Sequence, residues 1–246
     1  MDPRTRPAPA EGRDLSHGGE VNTDDVLGKA PLFAALDREG AAALRTSVTE
    51  VKISKGQTLF REGETGDRLY VVLEGKIKLS RTAPDGRENL LSVLGPGEMF
   101  GELSLFDPRP RTATATGLTD ARLAGLGHDD LRPWLTGRPE VALHLLRALA
   151  QRLRRTNDVL ADLVFTDVPG RVAKALLDLA EKFGHRAEDG MRVHHDLTQE
   201  ELAQLVGASR ETVNKALADF AQRGWLRIEG RAVVILDMER LYNRSR

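Results

Sequence analysis

The rhythm of apolar positions along this chain changes twice, and each change marks a new kind of element. Between Val48 and about Leu126, short β-type runs such as TLFREG, LYVVLEG, KIKLSR, NLLSVLG and ARLAGLG alternate with turn signals. Those signals are Lys55-Gly56, Glu74-Gly75, Asp85-Gly86 and Gly95-Pro96-Gly97. Many short strands with regular breaks predict an all-β barrel or jelly roll. A helical stretch with Leu27, Leu32, Phe33, Leu36 and Leu44 as its apolar positions precedes the strands. A second short helix, about Asp129 to Thr136, follows them.

From Pro139 the rhythm lengthens. No glycine or proline interrupts the segment until Pro169, and Ala142, Leu146, Leu149, Leu153, Thr156, Leu160 and Leu163 recur at spacings of four and three. That is a heptad seam, which predicts a coiled-coil helix pairing two copies in parallel. A helix packed on its own domain is the alternative. One seam position, Thr156, is polar.

After Val168-Pro169-Gly170, helix recurs from Arg171 to Phe183 and then as a tight pair. Thr198-Gln-Glu-Glu201 is a capping box opening a helix with Leu202, Ala203, Leu205 and Val206 on its buried side. Gly207 makes the turn, and Ser209 caps a second helix whose apolar face is Val213, Leu217 and Phe220. Trp225 to Ile228, a Glu229-Gly230 turn and Ala232 to Leu236 predict a β-wing. Residues 1–22 are rich in Pro, Gly and charge and poor in large apolar groups, so a disordered tail is expected there. The division expected is a tail over 1–22, a β-domain over 23–137, a dimerisation helix over 138–166 and a winged helix-turn-helix domain over 167–246. The fold class is α+β.

Composition narrows the chemistry. The 246 residues carry no cysteine, which excludes disulfides, cysteine-ligated zinc and thiol nucleophiles and fits a reducing cytoplasm. No apolar run approaches the ~18 residues of a membrane span, and the N-terminus has no hydrophobic signal core. A cytoplasmic protein without a membrane partner is expected. No nucleophile, base or metal constellation is visible, so an enzyme is not expected. The histidines do not form a metal site, and His194-His195 with Asp196 read as surface residues leading into the helix pair.

Two stretches carry candidate chemistry. In FGELSLFDPRPRTA, Glu102 lies among Phe100, Leu103, Leu105 and Phe106, where an unshared charge is costly. An internal Glu102–Arg111 ion pair would satisfy it, and so would an anionic ligand offering hydroxyls to Glu102 and a phosphate to Arg111. Arg109 is a nearby competitor, but no hydroxyl residue follows it. In SRETVNKALADF, the buried face leaves Arg210, Glu211, Asn214 and Lys215 outward, the residue types that read base edges. The domain from Asp167 to Arg246 balances 13 cationic against 13 anionic side chains, so bulk charge lends this reading no support.

The stretches GETGDRLYVVLEGKIKL, FGELSLFDPRPRTATA, RRTNDVLADLVFTDVPGRVAKALLDLA and LTQEELAQLVGASRETVNKALADF together resemble the cyclic AMP receptor branch of the cyclic AMP receptor/fumarate-nitrate regulator superfamily. The resemblance runs from about Asp25 to Leu236. It implies a dimeric, cyclic AMP-responsive regulator that binds palindromic operators in double-stranded DNA, with RNA polymerase as a partner. It needs no cofactor or metal, and cyclic AMP acts as effector. The implied fold is an N-terminal cyclic-nucleotide-binding β-roll, a long dimerisation helix and a C-terminal winged helix-turn-helix. Carried over by residue, Gly101, Glu102, Leu103 and Ser104 form the ribose and phosphate turn, and Arg111 and Thr112 hold the phosphate oxygens. Thr156 and Asn157 fall where the family reads adenine with Thr-Ser, so the polar seam residue gains a reason, and Asn157 departs from the usual serine. On the DNA side the family's Arg-Glu-x-x-x-Arg falls on Arg210, Glu211 and Lys215, with Lys215 in place of the usual arginine, and Thr198, Ser209 and Asn214 complete the expected DNA-binding set. Two rivals remain open: a sensor of another small ligand or haem on the same fold, and a barrel enzyme with an appended interaction domain.

Overall fold

Helix-starting residues divide the N-terminal helical stretch in three. Pro31 fits the first turn of a helix, where its missing N–H costs nothing, and Asp37 accepts from the Gly40 N–H at 2.7 Å. The result is α1 (Thr23–Lys29), α2 (Pro31–Ala34) and α3 (Arg38–Arg45). The computed structural model describes residues 23–107 and 109–246, so the tail expected over 1–22 lies outside the described residues.

The strand rhythm yields β1 (Thr49–Ile53), β2 (Thr58–Phe60), β3 (Arg68–Glu74), β4 (Ile77–Thr82), β5 (Glu88–Leu94), β6 (Met99–Phe100), β7 (Thr114–Gly117) and β8 (Ala121–Gly127). One short helix, α4 (Leu103–Phe106), interrupts them. They form two antiparallel four-stranded sheets, β1-β8-β3-β6 and β2-β7-β4-β5. The turns require glycine. At Gly75 φ is +79°, and a Cβ would meet the Asp120 carbonyl oxygen at 2.1 Å. Ile53, Val72, Ile77, Leu79, Phe100 and Leu123 fill the space between the sheets. The other face of β3, through Leu69, Val71 and Leu73, is covered by the helices, with Leu32, Phe33, Leu44 and Leu131 packed against it.

Two further helices follow, α5 (His128–Gly137) and α6 (Pro139–Phe165). Val141 and Leu145 anchor the start of α6 in the β-domain. Beyond them its apolar stripe is bare, with Leu146, Leu153 and Leu160 each 61% exposed. A helix packed on its own domain would bury that stripe, and α6 does not.

The C-terminal part contains α7 (Val168–Phe183), β9 (Gly184–Ala187), β10 (Gly190–His194), α8 (Gln199–Val206), α9 (Arg210–Gln222), β11 (Leu226–Glu229), β12 (Ala232–Ile235) and α10 (Met238–Arg244). The wing sheet has four strands, β11-β12-β10-β9. Its outer hairpin, β9 and β10, has too little apolar alternation to announce itself. Pairing with β12, Met191 to Ile235 and Val193 to Val233, draws it into the sheet. This corrects the reading of His194-His195 as surface residues. His194 is exposed and its ring stacks on His185, whereas His195 is buried and its Nδ1 accepts from the Leu197 N–H at 3.1 Å. Among the described residues no group of three or more His, Cys, Asp or Glu could hold a metal ion.

The C-terminal part docks on the β-domain. Leu90, Val93 and Leu118 share one apolar cluster with Leu176, Leu197 and Leu202. Ion pairs frame it: Lys78 to Glu201 at 2.8 Å, Lys182 to Glu98 at 2.7 Å, and Lys76 to Asp196. Burial raises the Glu201 carboxyl, but hydrogen bonds from Lys78 and the Thr198 N–H outweigh it and leave the pKa lowered.

Candidate nucleotide pocket and DNA-reading helix

The motif after β6 buries charge. Gly101 adopts φ +78°, a left-handed turn open to glycine, and Glu102 behind it is 1% exposed. Glu102 Oε1 accepts from Arg152 Nη1 on α6 at 2.8 Å, while Oε2 is buried with no hydrogen-bond partner among the described residues. The internal Glu102–Arg111 ion pair, one of the readings open from sequence, does not form. Glu102 takes its cation from the long helix instead.

Arg111 is buried and held by backbone. Its Nη1 donates to the Gly101 carbonyl and its Nη2 to the Arg68 carbonyl, each at 2.8 Å, and its guanidinium lies 4.1 Å from the Phe60 ring centroid. Its Nε is buried, again without a partner among the described residues. Burial lowers the Arg111 pKa, opposed by the negative partners around it, Asp67, Glu102 and Glu64 among them. Gly66 leaves room beside it, because a Cβ there would stand 2.5 Å from Arg111 Nε and 2.8 Å from Ser104 Cβ. Ser104 is buried, and Leu103 and Thr112 are exposed. Arg109 is exposed and occupied by Asp107 at 3.0 Å.

One motif therefore presents a buried acceptor and a buried donor that are unpaired among the described residues. Unpaired buried groups of this kind cost stability unless a ligand satisfies them. An acceptor suits a sugar hydroxyl, and a guanidinium N–H suits a phosphate oxygen. These residues fit a cyclic nucleotide. Thr156 and Asn157 lie exposed on α6, and the Thr156 hydroxyl donates to the Arg152 carbonyl at 3.0 Å, one turn back. Thr156 thus shares a helix face with the arginine that meets Glu102. Sequence reasoning missed Arg152, Phe60, Arg68 and Gly66. Only Arg152 carried a signal, its position one turn before the polar seam residue.

On the second candidate surface, Thr198 and Glu201 form both halves of the capping box. Gly207 ends α8 in the left-handed region at φ +68°. Ser209 then caps α9 by accepting from the Thr212 N–H at 3.2 Å. Arg210, Glu211 and Lys215 are exposed together on the first turns of α9. Asn214 differs from the outward placement expected of it: it is half-buried and its Oδ1 is enclosed, with no partner among the described residues. Lys215 pairs with Glu211 at 2.8 Å, Arg223 with Asp219 at 2.8 Å and Arg227 with Asp189 at 2.6 Å. Acids thus occupy much of the local positive charge. Arg210 makes no ion pair among the described residues and keeps its fork free at the N-terminus of the helix.

Comparison with known proteins gives the same two parts. Residues 50–136 match the cyclic nucleotide-binding domain family, and residues 170–244 match the Crp-like helix-turn-helix domain family. The chain is 58% identical to the CRP-like cAMP-activated global transcriptional regulator of Mycobacterium tuberculosis, over 91% of this chain and 100% of that one. It is 36% identical to the cyclic AMP receptor protein of Thermus thermophilus, over 81% of this chain and 89% of that one. Among solved structures, a CRP-family transcriptional regulator, also of Thermus thermophilus, superposes with TM-score 0.68 at 29% identity, covering 79% of this chain and 96% of that one.

Proposed function

We propose that this chain, which belongs to the CRP family of transcriptional regulators, binds cyclic AMP at the Glu102–Arg111 motif and reads operator DNA with α9. It is a cyclic AMP-responsive DNA-binding regulator whose family acts as dimers. The observation that carries the pocket assignment is the pair of buried atoms of opposite sense, Glu102 Oε2 and Arg111 Nε, that find no partner among the described residues.

In this reading Gly101, Glu102, Leu103 and Ser104 form the turn around the ribose and cyclic phosphate, and Arg111 and Thr112 hold the phosphate. Thr156 and Asn157 meet the base from the seam. Two copies pair through α6, so that the bare leucines of both helices are buried together. A two-fold dimer with one reading helix per subunit demands a palindromic site with half-site centres ~34 Å apart. Arg210, Glu211 and Lys215 face the groove with the half-buried Asn214 beside them, and Thr198 and Ser209 lie where the two helices approach the phosphates. RNA polymerase is the partner through which a bound dimer would act, in the cytoplasm. Isothermal calorimetry with cyclic AMP, cyclic GMP and a no-nucleotide control tests the pocket. Saturable cyclic AMP binding supports it, and no heat with either nucleotide overturns it.

A further inference from the structure

The end of the long helix and the turn of the helix pair meet at a single side chain. Arg171, in the first turns of α7, donates from Nη1 to the Thr166 carbonyl at 2.7 Å, from Nε to the Val206 carbonyl at 3.0 Å and from Nη2 to the Gly207 carbonyl at 3.3 Å. Thr166 is the C-cap of α6, Val206 ends α8 and Gly207 is the C-cap of α8. All three carbonyls lie at helix C-termini, where acceptors lack intrahelical partners and the dipole favours a cation. A guanidinium spreads five donors over a rigid fork and can serve both ends at once, whereas an ammonium is a point charge.

A second contact supports the first. A Cβ on Gly207 would come within 3.0 Å of Leu163 Cδ2, so a seam leucine of α6 lies against the turn between α8 and α9. A third tie, Lys174 to Asp162 at 2.5 Å, fixes α7 to the last turn of α6. Rotation of that last turn moves the Thr166 carbonyl. Arg171 must then carry the Val206–Gly207 turn with it or let go of one end.

We infer that Arg171 is a positioning residue which couples the state of the dimerisation helix to the placement of α9. It touches neither nucleotide nor DNA in this role. The inference rests on the reading of the chain as a cyclic AMP-responsive dimer, and its test is built so that the two can fail separately.

The variants are Arg171→Lys, which keeps the charge, and Arg171→Gln, both in the full chain. Operator affinity is measured with and without saturating cyclic AMP, and nucleotide affinity is measured calorimetrically without DNA. Allosteric coupling is commonly ~5–150-fold. That ratio should fall towards one in both variants, while nucleotide affinity of the free protein stays near the parent value. Operator affinity lowered equally in both conditions, with the ratio intact, would mean a purely structural residue and would overturn the inference. A ligand-independent arm uses the absence of cysteine. Spin labels at Gln151→Cys and Gln222→Cys, in dimers diluted with unlabelled chain, report the distance from α6 to α9. Arg171→Lys should broaden that distribution, and an unchanged distribution overturns the clamp. If the parent binds no cyclic nucleotide, the proposed function falls, and the distance arm still judges Arg171.

Discussion

Glu102, 1% exposed in the β-domain, takes its cation from Arg152, which lies 2.8 Å away on α6 and is itself 42% exposed. The pair ties the candidate nucleotide motif to α6 one turn from Thr156. Removing one partner of a buried pair leaves a charge uncompensated and can cost ~3–5 kcal/mol, but the exposure of Arg152 admits water and reduces that figure.

Arg152→Gln should therefore destabilise the protein by about 1–3 kcal/mol, and Glu102→Gln combined with it should restore part of the loss. A double-mutant cycle by denaturant unfolding reads the coupling. Strictly additive single effects would show that the contact contributes nothing.

Arg111 is fixed by two carbonyls, and its Nε is unpaired among the described residues. Arg111→Ala should weaken cyclic AMP binding by at least ~1.5–3 kcal/mol, the range for a hydrogen bond to a charged group. Arg111→Lys should fare little better, because an ammonium cannot hold both carbonyls and a phosphate. Calorimetric titration of each variant decides. Parent-like affinity in Arg111→Ala would move the phosphate role elsewhere.

Thr156→Leu completes the aliphatic run between Leu153 and Leu160. The variant should strengthen dimerisation, read by sedimentation, and weaken nucleotide binding. The hydroxyl donates to the Arg152 carbonyl, an acceptor that the helix backbone also serves, so removing it strands no buried group. Loss of both dimer and nucleotide affinity would contradict a base-reading role.

Arg210, at the start of α9, makes no ion pair among the described residues. Arg210→Ala should cost ~1–3 kcal/mol at one base pair and relax specificity there. Competition against single-base operator variants separates this from a phosphate contact, which would weaken all sequences alike and lower the salt slope by about one.

His195 is buried, and desolvation pushes its pKa down to about 4, with nearby Asp196 opposing the shift. A lowered histidine pKa means the unfolded chain, near 6.5, binds a proton that the folded chain refuses. The stabilising effect is full above pH 6.5 and is lost as pH falls from there towards 4, by on the order of 3 kcal/mol. His195→Asn, which can keep an acceptor for the Leu197 N–H, should flatten the Tm profile in that window. A parent-like slope in the variant would assign the acid sensitivity to another group.

Local order and pattern were legible in the sequence because they depend on near neighbours. Strand-and-glycine alternation pointed to an all-β barrel or jelly roll, the four-and-three spacing of leucines gave α6, and Thr198 with Glu201 gave the start of α8. Such signals lie within a few residues of one another and survive without knowledge of packing. The resemblance carried Glu102 and Arg111 to the same pocket. What the sequence did not reveal was which groups face which. Arg152 lies fifty residues from Glu102, and nothing local says that their charges meet. The β9–β10 hairpin depends on its pairing with β12, and the cluster joining Leu90 and Val93 to Leu202 depends on the docked β-domain. Arg171 looks like any helical arginine until three carbonyls converge on it. Periodicity specifies which face of an element is apolar, but the partner of a charge is chosen in three dimensions, where the desolvation penalty falls on whichever group is left alone.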